Sequence, residues 1–404
     1  MRKKIIKELQ DMPKFVYVLA VLVVFGAIVG LYRLYAGLGA TTNLSKAYPW
    51  GIWISFDLST VALSGGAFTL AALVYVFHMH NLHAAVRPTV LAGLLGYTSV
   101  LIILFMDLGR WDRAYHFLIY PNVNSALFEV SWCIALYSSI LVYELSPVLL
   151  ANTRWKGIIP VLEKYTIPMV IAGVSLSTLH QSSLGTLFIV MSERLHPLWQ
   201  SMLLPVFFLI SSLASGLALI IAGASISRWV FKRSLPQNLI AKLGWFLPWV
   251  LGVYLVLKLG ELEVMGELHL LLNSGRYSVL FMLEIIVGMV IPIIMFSSKR
   301  VRHDRTASMI GAFFVMFGVV LNRFDASWFA IQPIPGVEPY SPHWMEVAIL
   351  IGVASGVFLA YTLIGRYFPL FDETMVVESK RKTVVVGETA VNPQLTASEI
   401  GVAE

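Results

Sequence analysis

The chain has a single cysteine, Cys133, among its 404 residues. A disulfide needs two cysteines, and protein iron–sulfur clusters and cysteine zinc sites are bound by several thiolates. A disulfide within the chain, a cysteine-ligated iron–sulfur cluster and a cysteine zinc site are therefore excluded. Any chemistry of this chain has to proceed without a thiolate-bound centre of its own.

Charged residues are also scarce, at 13% of the chain, against about 25% in a typical soluble protein. Hydrophobic residues make up 58%, and the mean hydropathy is +0.78. A helix needs about 20 mostly apolar residues to cross a bilayer. The sequence therefore predicts an all-α membrane protein with about ten spans, at Phe15–Ala36, Ile52–Phe77, Val90–Leu108, Leu127–Leu149, Ile167–Val190, Trp199–Ser225, Trp245–Leu262, Val279–Ser297, Met309–Ala326 and Met345–Arg366.

The positive charges predict the orientation of these spans. Of the 29 lysines and arginines, 21 fall on the side of the N-terminus and 5 on the opposite side. Cytoplasmic loops are the ones that carry an excess of positive charge, so both termini are predicted to be cytoplasmic. We expect a cytoplasmic N-terminus at residues 1–14, a transmembrane domain at 15–370 and a flexible cytoplasmic tail at 371–404. The loops account for the net charge of +6, so the bilayer is the expected partner, without nucleic acid.

Most ionisable residues inside the spans lie near their outer ends, which is costly in a membrane and indicates a functional site. They are Asp57, Asp107, Glu129, Lys258, Glu261, Glu284 and Arg323. Span three ends Asp107-Leu-Gly-Arg110 and span seven ends Lys258-Leu-Gly-Glu261, while spans four and eight open with Glu129 and Glu284. This echo predicts two four-helix bundles, spans 2–5 and 6–9, flanked by spans 1 and 10. The alternative is local salt-bridging of Asp107 with Arg110, Lys258 with Glu261 and Arg323 with Asp325.

Histidine is rare within the spans, where only His180 lies deep. A membrane b-type cytochrome usually needs two facing histidines for each haem, so no haem and no metal site are predicted. Glu129 has no cation among its sequence neighbours and needs one from another helix, or a proton. The run Ser175-Leu-Ser-Thr-Leu-His-Gln-Ser-Ser-Leu-Gly-Thr186 places many hydroxyls around His180. Some are expected to bond back to their own helix, and the rest indicate a polar pocket or a proton path.

That run, with Asp107-Leu-Gly-Arg110 and Leu127-Phe-Glu-Val130, resembles the NrfD-like family of polysulfide-reductase-type membrane subunits, and within it the Hyb-type membrane subunit of periplasmic nickel–iron hydrogenases. The resemblance covers roughly residues 10–370. It implies a haem-free anchor that reacts with quinone and docks an extracytoplasmic, ferredoxin-like iron–sulfur subunit. Carried onto this chain, the quinone site would include Asp107, Arg110, Glu129 and His180.

The sequence thus predicts a subunit of a respiratory complex in the bacterial or archaeal cytoplasmic membrane. It would exchange electrons between menaquinone or ubiquinone and the iron–sulfur partner of a catalytic subunit, a nickel–iron hydrogenase or a related enzyme, and could also translocate protons. His180 and Glu129 are the predicted proton-transferring groups. Asp107 and Arg110 are expected to shape the pocket or contact the partner, and Asp57 is a further candidate for quinone binding.

Two other functions could use the same residues. An ion-coupled secondary transporter binds its substrate near the midplane between broken helices. Here no span carries paired glycine or proline interruptions, and the charges favour one face of the membrane. A passive membrane anchor, whose charges form structural salt bridges only, is the other alternative. Quinol-dependent activity separates the predicted function from this anchor.

Overall fold

A computed structural model of the chain describes residues 12–151, 153–231, 235–368 and 370. Ten helices match the ten predicted spans. They are α1 (Lys14–Ala36), α2 (Ile52–Val76), α3 (His83–Asp107), α4 (Phe128–Leu150), α5 (Thr166–Val190), α6 (Leu204–Arg228), α7 (Gln237–Val264), α8 (Arg276–Ser297), α9 (Arg305–Phe329) and α10 (Trp344–Tyr367).

Nine of these helices are each long and apolar enough to cross a membrane, and α5 follows the short helix Lys156–Lys164 at a bend of 63°. The described ranges contain no β-strand, and a bridge between Leu195 and Ile331 is isolated. The predicted all-α, multi-span class is therefore confirmed. The predicted tail at 371–404 and nearly all of the predicted N-terminal segment at 1–14 lie outside the described residues.

The helices pack as two rings of four. Helices α2–α5 form bundle 1, in which each helix contacts the next and α5 returns to α2. Helices α6–α9 form bundle 2 in the same way. Helix α6 joins the two bundles because it also packs on α2 and α5, while α1 and α10 pack along each other and α10 rests on α3. This is the arrangement predicted from the sequence echo.

Small residues set the closest helix contacts. A β-carbon on Gly66 of α2 would lie 2.6 Å from the Cα of Gly216 of α6, and one on Gly26 of α1 would lie 2.6 Å from the Cα of Gly352 of α10. In a membrane, where hydrophobic burial does not drive helices together, such close approach supplies the packing energy. The glycines thus fix both the contact between the bundles and the outer α1–α10 pair.

The connections that follow the odd-numbered helices meet at one end of the molecule, which we name the distal end. Arg194 donates to the carbonyl of Ala47 at 3.2 Å, Gln332 N donates to the carbonyl of Arg194 at 2.8 Å, and Asn43 donates to the carbonyl of Ser341 at 3.0 Å. These bonds join the segments 37–51, 191–203 and 330–343. The opposite end, where α1 begins and α10 ends, is the proximal end.

Candidate functional site

A row of three rings crosses the interior of bundle 1. His180 of α5 lies edge-on to Tyr137 of α4, with ring centroids 5.3 Å apart, and Tyr137 lies 4.2 Å from Tyr97 of α3. His180 is only 1% exposed, and both tyrosines are fully buried. Three helices therefore each contribute one polar ring to the same interior position.

Helix α2 completes this position with a carboxylate. Asp57 is buried on α2, and its charge lies within electrostatic range of Tyr137. Gln181, next to His180, donates from Nε2 to the carbonyl of Val61 on α2 at 3.1 Å. This bond fixes α5 against α2. We call Asp57, Tyr97, Tyr137, His180 and Gln181 the bundle 1 cluster.

Much of the hydrogen-bonding capacity of the bundle 1 cluster is unused. Both carboxylate oxygens of Asp57, the hydroxyl of Tyr137, both imidazole nitrogens of His180 and Oε1 of Gln181 are buried and have no hydrogen-bond partner within the described part of the chain. Buried polar atoms are nearly always bonded, because leaving one unpaired costs about 1–3 kcal/mol. The cluster therefore has donors and acceptors available for a polar ligand.

Glu129 lies at the margin of this cluster. It is exposed on the surface of α4 near the distal end and accepts a hydrogen bond from the hydroxyl of Ser183 on α5. Ser183 follows His180 by three residues, which is about one helical turn. Among the described residues, the partner of Glu129 is therefore a hydroxyl from another helix, and the cation that the sequence offered as an alternative to a proton is not found.

The other hydroxyls around His180 include some that bond back to their own helix, as predicted. Thr178 donates to the carbonyl of Val174 at 2.8 Å and Thr186 to that of Ser182 at 3.1 Å, so both bond back within α5. Ser183 differs because its hydroxyl also reaches Glu129. The polar run thus contributes one link between α4 and α5.

Asp107 belongs to a second group of charges at the distal end of α3. It is half-buried and lies within electrostatic range of Arg33 of α1 and Glu346 of α10. Arg33 is fully buried and donates to the carbonyl of Leu108 at 2.6 Å. Asp57 is also within electrostatic range of Asp107. Asp107 therefore lies within electrostatic range of both the bundle 1 cluster and the α1–α10 pair.

Tyr340 covers this second group from the distal end. Its hydroxyl donates to Glu346 and accepts from the backbone N–H of Ile52 at 3.1 Å. Burial, together with the hydrogen bond to Glu346, raises the pKa of the Tyr340 hydroxyl. Tyr340 thus stays a neutral donor and ties the last distal connection to the start of α2.

Arg110 is placed apart from these groups. It forms a bidentate pair with Asp112 on the distal surface, with N–O distances of 2.9 and 2.8 Å. Both side chains are exposed, and the hydrogen bonds from Arg110 lower the pKa of Asp112. The alternative pairing of Asp107 with Arg110 is therefore not formed.

Bundle 2 holds its charges in a bonded network. Lys258 of α7 forms an ion pair with Glu284 of α8. Glu284 also accepts from Trp199 Nε1 at 3.0 Å and from Asn322 Nδ2 at 3.1 Å. Arg323 of α9 donates to Asn322 Oδ1 at 2.6 Å.

Neither of the remaining local pairings suggested by the sequence is formed. Glu261 accepts from the hydroxyl of Ser201 and from the backbone N–H of Met202, instead of pairing with Lys258. Asp325 has no ion pair with Arg323. The interpretation of these charges as local salt bridges is therefore wrong, because Lys258 and Glu261 have their partners in other segments and Asp325 has none among the described residues.

Several residues of these groups carry no sign of their place in the sequence, among them Tyr97, Tyr137 and Glu346. Tyr97 and Tyr137 look like ordinary aromatic core residues, and Glu346 resembles the first-turn acid of a helix. Their spacing in the sequence carries no signal, since each acts through a contact with another helix. Within the part of the chain that the structure covers, no group of three or more histidine, cysteine, aspartate or glutamate side chains is arranged to hold a metal.

The fold and the site together define a multi-span helical membrane protein with polar groups buried in one bundle. Residues 40–326 match the family described as polysulphide reductase, NrfD. The chain belongs to the NrfD family, as its motifs predicted.

Three relatives extend the similarity over nearly the full chain. The probable Ni/Fe-hydrogenase 2 b-type cytochrome subunit of Escherichia coli is 32% identical, over 88% of this chain and 92% of the relative. The menaquinone reductase integral membrane subunit of Nitratidesulfovibrio vulgaris is 28% identical, over 90% and 93%. The Hdr-like menaquinol oxidoreductase integral membrane subunit of Archaeoglobus fulgidus is 26% identical, over 83% and 88%.

Proposed function

We propose that this chain is the quinone-reactive membrane subunit of an oxidoreductase complex. It exchanges electrons between the quinone pool and an extracytoplasmic iron–sulfur subunit, which serves a nickel–iron hydrogenase or a related catalytic subunit. The observation that carries the proposal is the bundle 1 cluster, whose buried donors and acceptors have no partner within the described residues. The names of two relatives, which refer to menaquinone and menaquinol, support quinone as the substrate.

The proposed orientation places the distal end outside the cytoplasm. The excess of lysine and arginine on the side of both termini supports this, because positive loops are retained in the cytoplasm. Electrons then enter or leave at the distal end, on the same side as Glu129, Asp107 and Arg110. A bacterial or archaeal cytoplasmic membrane fits this arrangement.

The bundle 1 cluster has side chains that can hydrogen-bond to both the oxidised quinone and the reduced quinol. A quinone carbonyl accepts hydrogen bonds and a quinol hydroxyl donates them, so the substrate needs side chains of both kinds. The Tyr137 hydroxyl is a donor, and the Asp57 carboxyl and the His180 imidazole can each donate or accept. Reduction by two electrons also consumes two protons, and a positioned side chain can supply them.

We assign the proton-transferring roles to His180 and Glu129. His180 lies in the cluster, and Glu129 joins α5 one turn away through Ser183. Glu129 is exposed near the distal end of α4, where it can exchange protons with its surroundings. If protons are taken up from the cytoplasmic side during quinone reduction, turnover generates a membrane potential.

The distal segment 108–125 is the proposed contact for the iron–sulfur subunit. It exposes Trp111, Tyr115 and Tyr120 beside the Arg110–Asp112 pair. Exposed aromatic and arginine side chains are enriched at protein interfaces. Asp107 and Arg33, just beneath this segment, shape the path from the interface to the cluster.

The absence of haem stays a prediction. One relative carries the words b-type cytochrome in its name. The surroundings of His180 do not fit a bis-histidine haem, since its ring faces Tyr137 and the other histidines of the chain lie at helix ends or in connections. A stoichiometric b-type absorbance spectrum from the purified chain would contradict this part of the proposal.

The test compares His180→Ala with His269→Ala, an exposed histidine at the distal end, in membranes that hold the complete complex. His180→Ala is expected to lower quinone-linked turnover about 100-fold or more, the scale of acid–base catalysis. Electron transfer from the soluble partners to an artificial dye should persist, because the dye bypasses the membrane. Equal loss of both activities, or a normal quinone rate, would contradict the proposal.

A further inference from the structure

Bundle 2 contains a cleft that the proposed quinone site does not use. It is lined by the distal residues Trp199, Ser201 and Glu261 and, further in, by Tyr254, Lys258 and Asn322. Ser201, in the connection before α6, and Glu261 are hydrogen-bonded to each other along this lining. The cleft therefore leads from the distal end to the buried ammonium of Lys258.

The carboxylate of Glu284 is fully engaged at the inner end of this cleft. It is completely buried and accepts from Lys258, Trp199 and Asn322. The Lys258 ammonium also lies 4.7 Å from the centre of the Phe281 ring. It lies 5.7 Å from the centre of the Tyr254 ring as well, so Lys258 is held by one carboxylate and two aromatic rings.

A second carboxylate stands beside this pair with no bond of its own. Asp325 of α9 is 0% exposed, and neither of its oxygens has a hydrogen-bond partner among the residues described. It lies within electrostatic range of both Glu284 and Lys258. An ionised carboxylate buried without a partner is very costly, so Asp325 holds a proton in this arrangement.

The nearby arginine does not neutralise Asp325. Arg323 donates to Asn322, to Ser211 at 2.7 Å and to the carbonyl of Phe208 at 3.2 Å, and its guanidinium lies 3.5 Å from the centre of the Phe208 ring. These contacts hold Arg323 on the α6 side of α9. Lys258 is therefore the cation that can serve Asp325.

Helix irregularities flank both acids. A π-helical turn, Asp325–Phe329, begins at Asp325 itself, and another, Ile286–Val290, begins two residues after Glu284. Such turns are uncommon and occur frequently at functional sites. They interrupt the regular α-helical bonding of α8 and α9 beside the two acids.

We propose that Lys258, Glu284 and Asp325 form a proton-exchange site in bundle 2 that opens to the distal end through the cleft. In the exchange, the proton of Asp325 moves to Glu284 as the Lys258 ammonium moves from Glu284 to Asp325. The proton and the ammonium move in opposite directions between the two carboxyl groups, so the net charge of the site does not change in this step. Glu284 then releases its proton into the cleft, Lys258 returns, and Asp325 takes up another proton from within the protein.

A hydroxyl pair joins α2 of bundle 1 to α9 of bundle 2 close to Asp57 and Asp325. Ser55 of α2 and Ser327 of α9 are hydrogen-bonded at 2.7 Å. Ser55 precedes Asp57 by two residues, and Ser327 follows Asp325 by two. This inference rests on the proposed function, because the quinone chemistry at Asp57 and His180 supplies the energy for the exchange.

The experiment uses the complete complex in liposomes with menaquinone and measures protons moved per electron pair together with quinone-linked turnover. Asp325→Asn should keep at least half of the uncoupled turnover but move only the protons that the quinone reaction itself requires. Asp304→Asn is the matched control on α9. Asp304 caps the helix by accepting from Ala307 N at 2.6 Å, and asparagine caps equally well. It should match the wild type.

If Asp325→Asn does not assemble, Lys258→Arg serves as the second variant. Arginine keeps the charge and pairs with Glu284, but its planar fork is held more rigidly by a carboxylate. The same loss of extra protons is expected. Full proton movement in either assembled variant, or none beyond quinone chemistry in the wild type, would overturn the inference. No quinone-linked turnover in the uncoupled wild type would instead overturn the proposed function, and the inference with it.

Discussion

The two bundles share a ring of four helices but use their buried polar groups differently. In bundle 2, Lys258 pairs with Glu284. Asn322 donates to Glu284 and accepts from Arg323, so the network spans α7, α8 and α9. In bundle 1, Asp57 and His180 offer atoms that have no partner in the described chain. The bundle with more buried charge is thus the more completely bonded one.

This difference indicates which bundle has polar groups available for a ligand. Full charges in a membrane are tolerated when they are paired, and a complete pair leaves nothing for a substrate. The bundle 1 cluster consists of two phenols, an imidazole, an amide and one carboxylic acid. Burying these groups without a hydrogen-bond partner costs less than burying an unpaired full charge. Asp325 is the exception in bundle 2, and it is the basis of the proposed proton-exchange site.

The largest contrast is expected between replacing Glu284 of bundle 2 and replacing Glu129 of bundle 1. Glu284→Ala removes the bonded ion-pair partner of Lys258 and leaves the protonated Asp325 as the nearest carboxyl. Breaking a buried ion pair in this way costs about 3–5 kcal/mol. The amount of assembled complex recovered from membranes should fall severely. Glu129→Ala removes an exposed side chain with one hydroxyl partner, and assembly should stay near wild type. Similar recovery of the two variants would remove the contrast between the bundles.

A smaller effect is expected from Tyr137→Phe in bundle 1. The change keeps the ring that packs on His180 and Tyr97 but removes the unpartnered hydroxyl. Assembly should be unchanged, and the KM for quinone should rise about tenfold, the loss of one hydrogen bond of about 1.4 kcal/mol. Tyr115→Phe on the distal surface is the control. An unaltered KM would place the quinone away from Tyr137.

A subtler comparison sets Glu129→Gln against Glu284→Gln, each measured per assembled complex with an uncoupler present. Glutamine keeps the shape of glutamate and cannot carry a proton. Glu129→Gln should lower quinone-linked turnover several-fold and more than Glu284→Gln, because Glu129 joins α5 beside His180. The reverse order would leave Glu129 as a structural carboxyl and shift the proton route to bundle 2.

The sequence predicted the ten helices and the two bundles because long apolar runs leave the backbone no alternative in a membrane. It also selected His180, Asp57 and Glu129, since polar side chains are conspicuous in such runs. It did not predict the pairings. Lys258 and Glu284 are 26 residues apart and meet only when α7 packs on α8.

The aromatic members of the cluster were hidden for a related reason. Tyr97 and Tyr137 have the same sequence context as any buried tyrosine, and their role follows from a contact between α3, α4 and α5. Asp325 was noticed only as a neighbour of Arg323. In the structure Arg323 is bonded to α6, and Asp325 has no hydrogen-bond partner among the described residues.

The most direct test of the central claim is photolabelling of the complete complex with an azido-quinone, followed by mass mapping of the labelled peptides. Labelling has to decrease when excess menaquinone is present, so that it reports the specific site. The account predicts label on peptides of α2–α5, near Asp57, Tyr137 or His180. Competable label confined to α6–α9 would contradict the assignment of the quinone site to bundle 1.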